Sequence, residues 1–319
     1  FDPIELLSLG IGYLFLLFLV AHLSESGLIP TKWIRNPTVY VLSLGVYISA
    51  WGVYGIVGFA YETGYNFLAF YLGVSGAFLL APVLLNPILR LTKNHQLSSL
   101  ADLFAFRYRS QFVGSLTTIM MVLGLLPLLA LQIRAVADIA NILTQTVDHN
   151  GIAIVFCVII TVFTLLFGAK PLTPQYKHDG LVIAIAIESI VKLVMMLSVA
   201  AYALFFVFNG NAGLTDWLSN NKDAVELLYV PLKESGIWHT LIFAFLFSSV
   251  VMPFMYQMVF TENFQPRALL TASWGLPLYL FLMASCVPVI LWAGIKLEVG
   301  YSPEYFTIAI AIASKSTFL

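Results

Sequence analysis

Eight apolar runs, at about 4–23, 37–60, 65–90, 111–146, 151–168, 180–208, 238–260 and 269–294, limit what this chain can become more than any other feature. Crossing the hydrocarbon of a bilayer takes about 20 residues of helix. In that medium no water satisfies backbone N–H and C=O groups, so such runs are confined to helices or closed barrels, and runs of this length are helical. Composition agrees: 60% of the 319 residues are hydrophobic and 10% charged, against roughly 45–50% and about 25% in soluble domains. A water-soluble globular protein is excluded, and the expected class is an all-α, polytopic membrane helical bundle forming one transmembrane domain over 1–319. The first run follows Asp2 and Glu5 rather than basic residues and exceeds a secretory h-region, so it reads as a membrane helix and not a signal peptide. Phe1 is not a methionine and a ninth apolar segment starts near Ser316, which leads us to expect a fragment of a longer chain.

The loops between runs divide into two alternating sets. One carries Lys32, Arg35, Arg90, Lys93, Arg107, Arg109, Lys170, Lys177 and Arg267 against four acids; the other carries Lys222, Lys233, Lys296 and Lys315 against ten. The positive-inside rule makes the first set cytoplasmic and puts the amino terminus outside, in the cell (inner) membrane. Trp33, Trp217 and Trp238 fall near span ends, as interfacial anchors do. The net charge of −1 and the scattered basic residues give no nucleic-acid surface. Cys157 and Cys286 lie within apolar runs, so neither a disulfide framework nor a zinc site is expected. His22, His95, His149, His178 and His239 sit at span ends or in loops and read as solvated residues, not metal ligands. The chain holds no H-E-x-x-H, no G-x-S-x-G and no phosphate-binding glycine loop, hence no catalytic motif.

Four charges remain inside the runs: Arg134 and Asp138 in the fourth, Glu188 and Lys192 in the sixth. Each pair is spaced i, i+4, which places acid and base on one helix face where they neutralise each other. They are either structural ion pairs or part of an ion or proton pathway. Lys192, near the middle of its run, is the stronger candidate. The second run reads Ser49-Ala50-Trp51-Gly52-Val53-Tyr54-Gly55-Ile56-Val57-Gly58; glycine at every third position weakens a helix, and a local break is expected at Trp51–Gly52 and Gly55. In the seventh run Pro253 removes a helical hydrogen bond at mid-depth, next to Met252, Phe254, Tyr256 and Gln257. Two interrupted helices five spans apart suggest an inverted-repeat transporter with its solute between the breaks; the alternative is close helix packing and a simple kink.

The residues also resemble a family. Gln96-Leu-Ser-Ser-Leu-Ala-Asp-Leu-Phe-Ala-Phe-Arg-Tyr-Arg-Ser110, leading into Leu128-Leu-Ala-Leu-Gln-Ile-Arg-Ala-Val136, is similar to the loop and following helix of sodium/solute symporters. Val259-Phe-Thr-Glu-Asn263, Ala272-Ser-Trp-Gly-Leu-Pro-Leu-Tyr-Leu280, Val287-Pro288 and Ala293-Gly294 look like the symporter-type membrane domain of CbrA-like sensor histidine kinases. The resemblance implies a LeuT-like inverted repeat with one extra amino-terminal helix (4–23), a first repeat over about 37–208, and a second, truncated one over about 238–319. By the same resemblance, substrate contacts fall on Ser49, Ala50, Trp51, Gly52, Gln132, Tyr256 and Gln257.

One departure bears on coupling. Sodium-coupled members carry Thr-Asp and then Gln where this chain reads Ile187-Glu188-Ser189-Ile190-Val191-Lys192. Glu188 stands for the aspartate, but Lys192 is new, and in LeuT-like proteins a lysine here puts its ammonium where sodium would bind. The resemblance thus implies a domain that binds or transports a small polar solute such as an amino acid, and that feeds a fused cytoplasmic kinase and its response regulator. No cofactor is expected beyond a coupling sodium ion or proton. A stand-alone sodium- or proton-coupled symporter is the alternative, and a membrane enzyme using the buried charges a remote one.

Overall fold

The computed structural model describes residues 3–145, 149–163, 178–229 and 235–314. Among these residues there is no strand, as the apolar runs require. Among the described residues four helices are long and apolar enough to cross a membrane: Ile4–Glu25, Gln111–Thr144, Asp179–Val207 and Pro266–Lys296. Two bent pairs pass the same test only when each is taken together, Pro37–Tyr47 with Trp51–Leu79 (79°) and Ile237–Val251 with Pro253–Thr261 (55°), and in the first pair the chain turns again at Gly64 (φ 58°). The chain is therefore a multi-pass helical membrane bundle.

The helices are α1 (Pro3–Glu25), α2 (Thr31–Ile34), α3 (Pro37–Ser43), α4 (Ile56–Thr63), α5 (Leu68–Leu79), α6 (Leu85–His95), α7 (Leu100–Tyr108), α8 (Gln111–Thr144), α9 (His149–Phe163), α10 (Asp179–Tyr202), α11 (Asn211–Asn220), α12 (Lys222–Tyr229), α13 (Ser235–Val251), α14 (Pro253–Tyr256), α15 (Pro266–Lys296) and α16 (Phe306–Ala313). Among the described residues three π-helical turns stand at helix ends, at Trp51–Gly55, Ala203–Val207 and Gln257–Thr261.

Two expected runs come out differently. The run at 65–90 is not one span: α5 ends at Leu79, the chain turns through Pro82, and α6 begins at Leu85. Proline cannot supply the N–H that a continuous helix would need there. In α6 Leu85, Leu89 and Thr92 share a buried face while Arg90 is exposed, so it is an amphipathic helix and not the end of a span. The last apolar segment begins at Phe306, ten residues before the expected start, which lies outside the described residues. Phe306 to Ile310 are buried and helical.

Contacts divide the described chain into two compact units. The first comprises residues within 1–46, 82–188 and 250–271 and is joined by polar contacts. Asn36 caps α3 by accepting from the Thr38 N–H at 2.9 Å, with Pro37 in the first turn. The buried Tyr40 hydroxyl donates to the Val259 carbonyl at 3.1 Å and accepts from Asn263 at 3.0 Å, while Lys93 donates to Asn263 at 3.2 Å. Ser99 caps α7 through the Asp102 N–H, and Asp102 reaches back to the Ser98 hydroxyl at 2.6 Å and its N–H at 3.1 Å. Burial opposes ionisation of Asp102, but the hydrogen bonds from Ser98 and Ser99 outweigh it and hold the carboxyl below its ordinary value.

The second unit comprises residues within 47–81, 189–249 and 272–314. Its helices approach closely at glycines. A Cβ on Gly73 would lie 2.6 Å from Phe245 Cβ and 2.8 Å from the Ile242 carbonyl oxygen, so α5 and α13 meet backbone to backbone. The loop helices are tied down by polar contacts: Trp292 donates to the Ala224 carbonyl at 3.1 Å, and Lys296 donates to that of Val207 at 2.7 Å, lying over the Phe208 ring.

Candidate functional site: the interruption of the second span

In the second unit the site is built around backbone that leaves the helix. A 3-10 turn over Leu44–Tyr47 tightens the end of the first helical piece, Ile48 and Ser49 fall outside any helix, and the π turn at Trp51–Gly55 starts the second piece. The break thus lies three residues before the expected Trp51–Gly52, and Gly52 and Gly55 belong to the turn that follows it. Gly55 has a definite task. A Cβ there would come within 2.5 Å of Trp51 Cδ1, so only glycine lets the indole fold over this turn. The indole rests edge-on against Phe70 at 5.1 Å and near Phe59 at 5.8 Å, and Phe70 also stacks on Tyr47 at 4.5 Å and meets Phe245 at 5.3 Å.

A helix end leaves carbonyls without intrahelical partners. Lys192 answers one of them: its ammonium donates to the Ile48 carbonyl at 2.5 Å. The position is favourable twice over, because a helix carboxyl end carries partial negative charge and a charge-assisted hydrogen bond is the stronger kind. Ser49 N–H turns back onto the Tyr47 carbonyl at 3.1 Å, which closes the bend. Ser49, Ala50 and Trp51 are half-buried and Gly52 is buried. The structure therefore brings Ser49, Ala50, Trp51, Gly52, Gly55 and Lys192 into one neighbourhood.

The other candidate residues belong to the first unit. Met252 is extended (φ −70°, ψ 125°) before Pro253, so the seventh span is interrupted there. Tyr256 is fully buried with its hydroxyl 3.1 Å from that of Thr92, and Gln257 donates to Glu262 at 3.4 Å. Gln132 is half-buried on α8. Arg134 and Asp138 pair at 3.3 Å, with the Arg134 side chain 73% exposed. The pair follows the charge-free stretch 111–133, which at about 1.5 Å per residue is already roughly 35 Å long. That places the pair at the end of the span, not in its middle. Glu188, one turn before Lys192 on α10, is also in this unit.

The structure corrects one reading and adds another residue. His178 is not simply solvated: its Nδ1 lies 2.8 Å from Oε1 of the buried Glu262, and its N–H donates to Oε2 at 3.1 Å. Neither partner was legible alone, because both fall in short polar stretches between runs. Tyr71 was missed as well; it is buried with its hydroxyl unpartnered, standing in the second unit beside Tyr47, Tyr279 and Cys286. A hydroxyl in the middle of an otherwise apolar run was the available signal. No group of three or more His, Cys, Asp or Glu suited to a metal ion occurs among the described residues.

The long apolar helices and the two bent pairs define a class, the multi-pass helical membrane protein. The comparisons add a particular relative. Over 156 residues the chain is 28% identical to the uncharacterized symporter YodF of Bacillus subtilis (strain 168), a match covering 49% of this chain and 29% of that protein. The similarity and the apolar helices together support a membrane transporter-like role. No family model matches, and no solved structure matches.

Proposed function

We propose that this is a symporter-type membrane domain that binds and carries a small polar solute at the break of its second span, with the Lys192 ammonium in the place of a sodium ion. The observation that carries the reading is the Lys192 to Ile48 hydrogen bond, a side-chain nitrogen donating to backbone freed by an interrupted helix. The solute class, the LeuT-like repeat with α1 as the extra helix, and the sodium or proton as coupling ion come from the resemblance to sodium/solute symporters. The relative named a symporter favours transport; a fused kinase and response regulator rest on the resemblance of residues 259–294 alone.

The test is uptake of a panel of amino acids into proteoliposomes with sodium replaced by choline, with and without an imposed pH gradient. Uptake is expected to persist without sodium. Gly52→Leu should abolish it while folded protein remains in the membrane, because even a Cβ at Gly52 sits 3.2 Å from Ile48 and 3.5 Å from Phe70. Strict sodium dependence defeats the lysine assignment, and unaltered uptake by Gly52→Leu moves the site away from the break.

The orientation is a further part of the proposal. Lys32, Arg35, Arg90, Lys93, Arg107, Arg109 and Arg267 are the described members of the cytoplasmic set, and Lys222 and Lys296 those of the outer set. Single cysteines at the exposed positions Asn94 and Lys222 are expected to react with an impermeant thiol reagent from opposite sides; labelling from the same side excludes this topology.

A further inference from the structure

The stretch Gln96–Ser110, singled out in the sequence, plays no part in the proposed solute site. In the first unit it forms one wall of an open groove of about 380 Å³ where α7 meets the start of α8, lined by Gln96, Asp102, Phe106, Arg109, Ser110 and Gln111 among others. Arg107 and Arg109 are both exposed at this end of α7. Asp102 is the one acid in the lining, and its Oδ2 is already engaged by the hydroxyl and N–H of Ser98. The lining itself holds one base, Arg109, and one acid, and Arg107 just outside it brings this end of α7 to two bases against one acid.

A second feature follows the groove directly in the chain. Beginning at its edge, Phe112, Leu116, Ile119 and Leu123 follow at helical spacing along α8 and are 74%, 44%, 57% and 61% exposed. The same helix is long and apolar enough to cross the membrane, so this stripe runs from the headgroup level into the hydrocarbon. Tyr108, 64% exposed, supplies an amphipathic ring at the same level.

We infer that the α7–α8 groove is a binding site for the headgroup of an anionic phospholipid, with the phosphate on Arg107 and Arg109 and an acyl chain along the Phe112–Leu123 stripe. A polar cavity alone fits any small anion. The exposed apolar surface of α8, which begins one residue after Gln111 of the lining, favours a molecule that carries an anion and a long chain together. Arginine suits the role because its planar guanidinium pairs with phosphate through two parallel hydrogen bonds. The site is independent of the solute reading and requires only that α8 span a bilayer.

The test uses the full chain in nanodiscs of phosphatidylcholine, with or without phosphatidylglycerol, reading the thermal unfolding midpoint and the lipid retained in native mass spectrometry. Phosphatidylglycerol is expected to raise the midpoint and to be retained on the unmodified protein. Arg107→Gln with Arg109→Gln should remove the rise and lower retention about thirtyfold, since each basic residue near the surface contributes on the order of 1 kcal/mol. Lys32→Gln with Arg90→Gln, which removes two exposed charges elsewhere, should keep both. High salt should erase the rise in the unmodified protein, so the proposal stays testable even if the arginine variant does not fold. The inference is overturned if phosphatidylglycerol gives no rise, if both double variants respond alike, or if inorganic phosphate in phosphatidylcholine discs reproduces the effect.

Discussion

Lys192→Met is expected to reduce solute uptake by at least tenfold while the protein still reaches the membrane. The substitution keeps the length of the side chain and removes both charge and donor, so the Ile48 carbonyl at the helix break loses its partner. An unsatisfied buried acceptor costs about 1–3 kcal/mol. Removing an ammonium from a partly buried place returns part of that, so the thermal midpoint should move little compared with activity. Lys192→Gln separates the two roles of the residue. Its amide can donate but carries no charge: recovered uptake would make Lys192 a cap for the break, whereas continued loss, with no response to a pH gradient, assigns the charge itself to coupling. Full uptake by Lys192→Met excludes both roles.

The second large effect falls on stability. Gly73→Ala is expected to lower the unfolding midpoint clearly, by about 1–3 kcal/mol in stability, and Gly73→Val by more. The added Cβ meets the Ile242 oxygen at 2.8 Å and the Leu246 nitrogen at 2.9 Å, and backbone atoms move only if α5 and α13 separate. Gly76 is the internal control, since there the nearest atom is Leu246 Cδ1 at 3.9 Å and alanine should be neutral. Denaturant titration of the three variants in one detergent settles the comparison; equal behaviour of Gly73→Ala and Gly76→Ala removes the tight-packing argument.

The membrane class was legible because lipid leaves a long uncharged run few alternatives, and α1, α8, α10 and α15 follow those runs closely. Hydropathy does not see a turn made of apolar residues, so Leu80–Leu84 was read through as helix. The two interruptions were legible in kind, from Gly52, Gly55 and Pro253. The first was misplaced by three residues because the group set free is the carbonyl of Ile48, and a backbone oxygen leaves no mark in the sequence. Lys192 stood out as a charge at mid-run, but its partner lies 144 residues earlier in the chain. The pairing of His178 with Glu262, 84 residues apart, was hidden for the same reason.

The π turns at Trp51–Gly55, Ala203–Val207 and Gln257–Thr261 bear on the ancestry of the chain. All three stand at helix ends: Trp51–Gly55 opens the helical piece after Ile48–Ser49, while Ala203–Val207 and Gln257–Thr261 close theirs. A π turn holds one residue more than an α-helical turn, so each helix end gains a residue without turning the side chains of the helix body. A homologue one residue shorter at such an end would keep the rest of that helix in the same register.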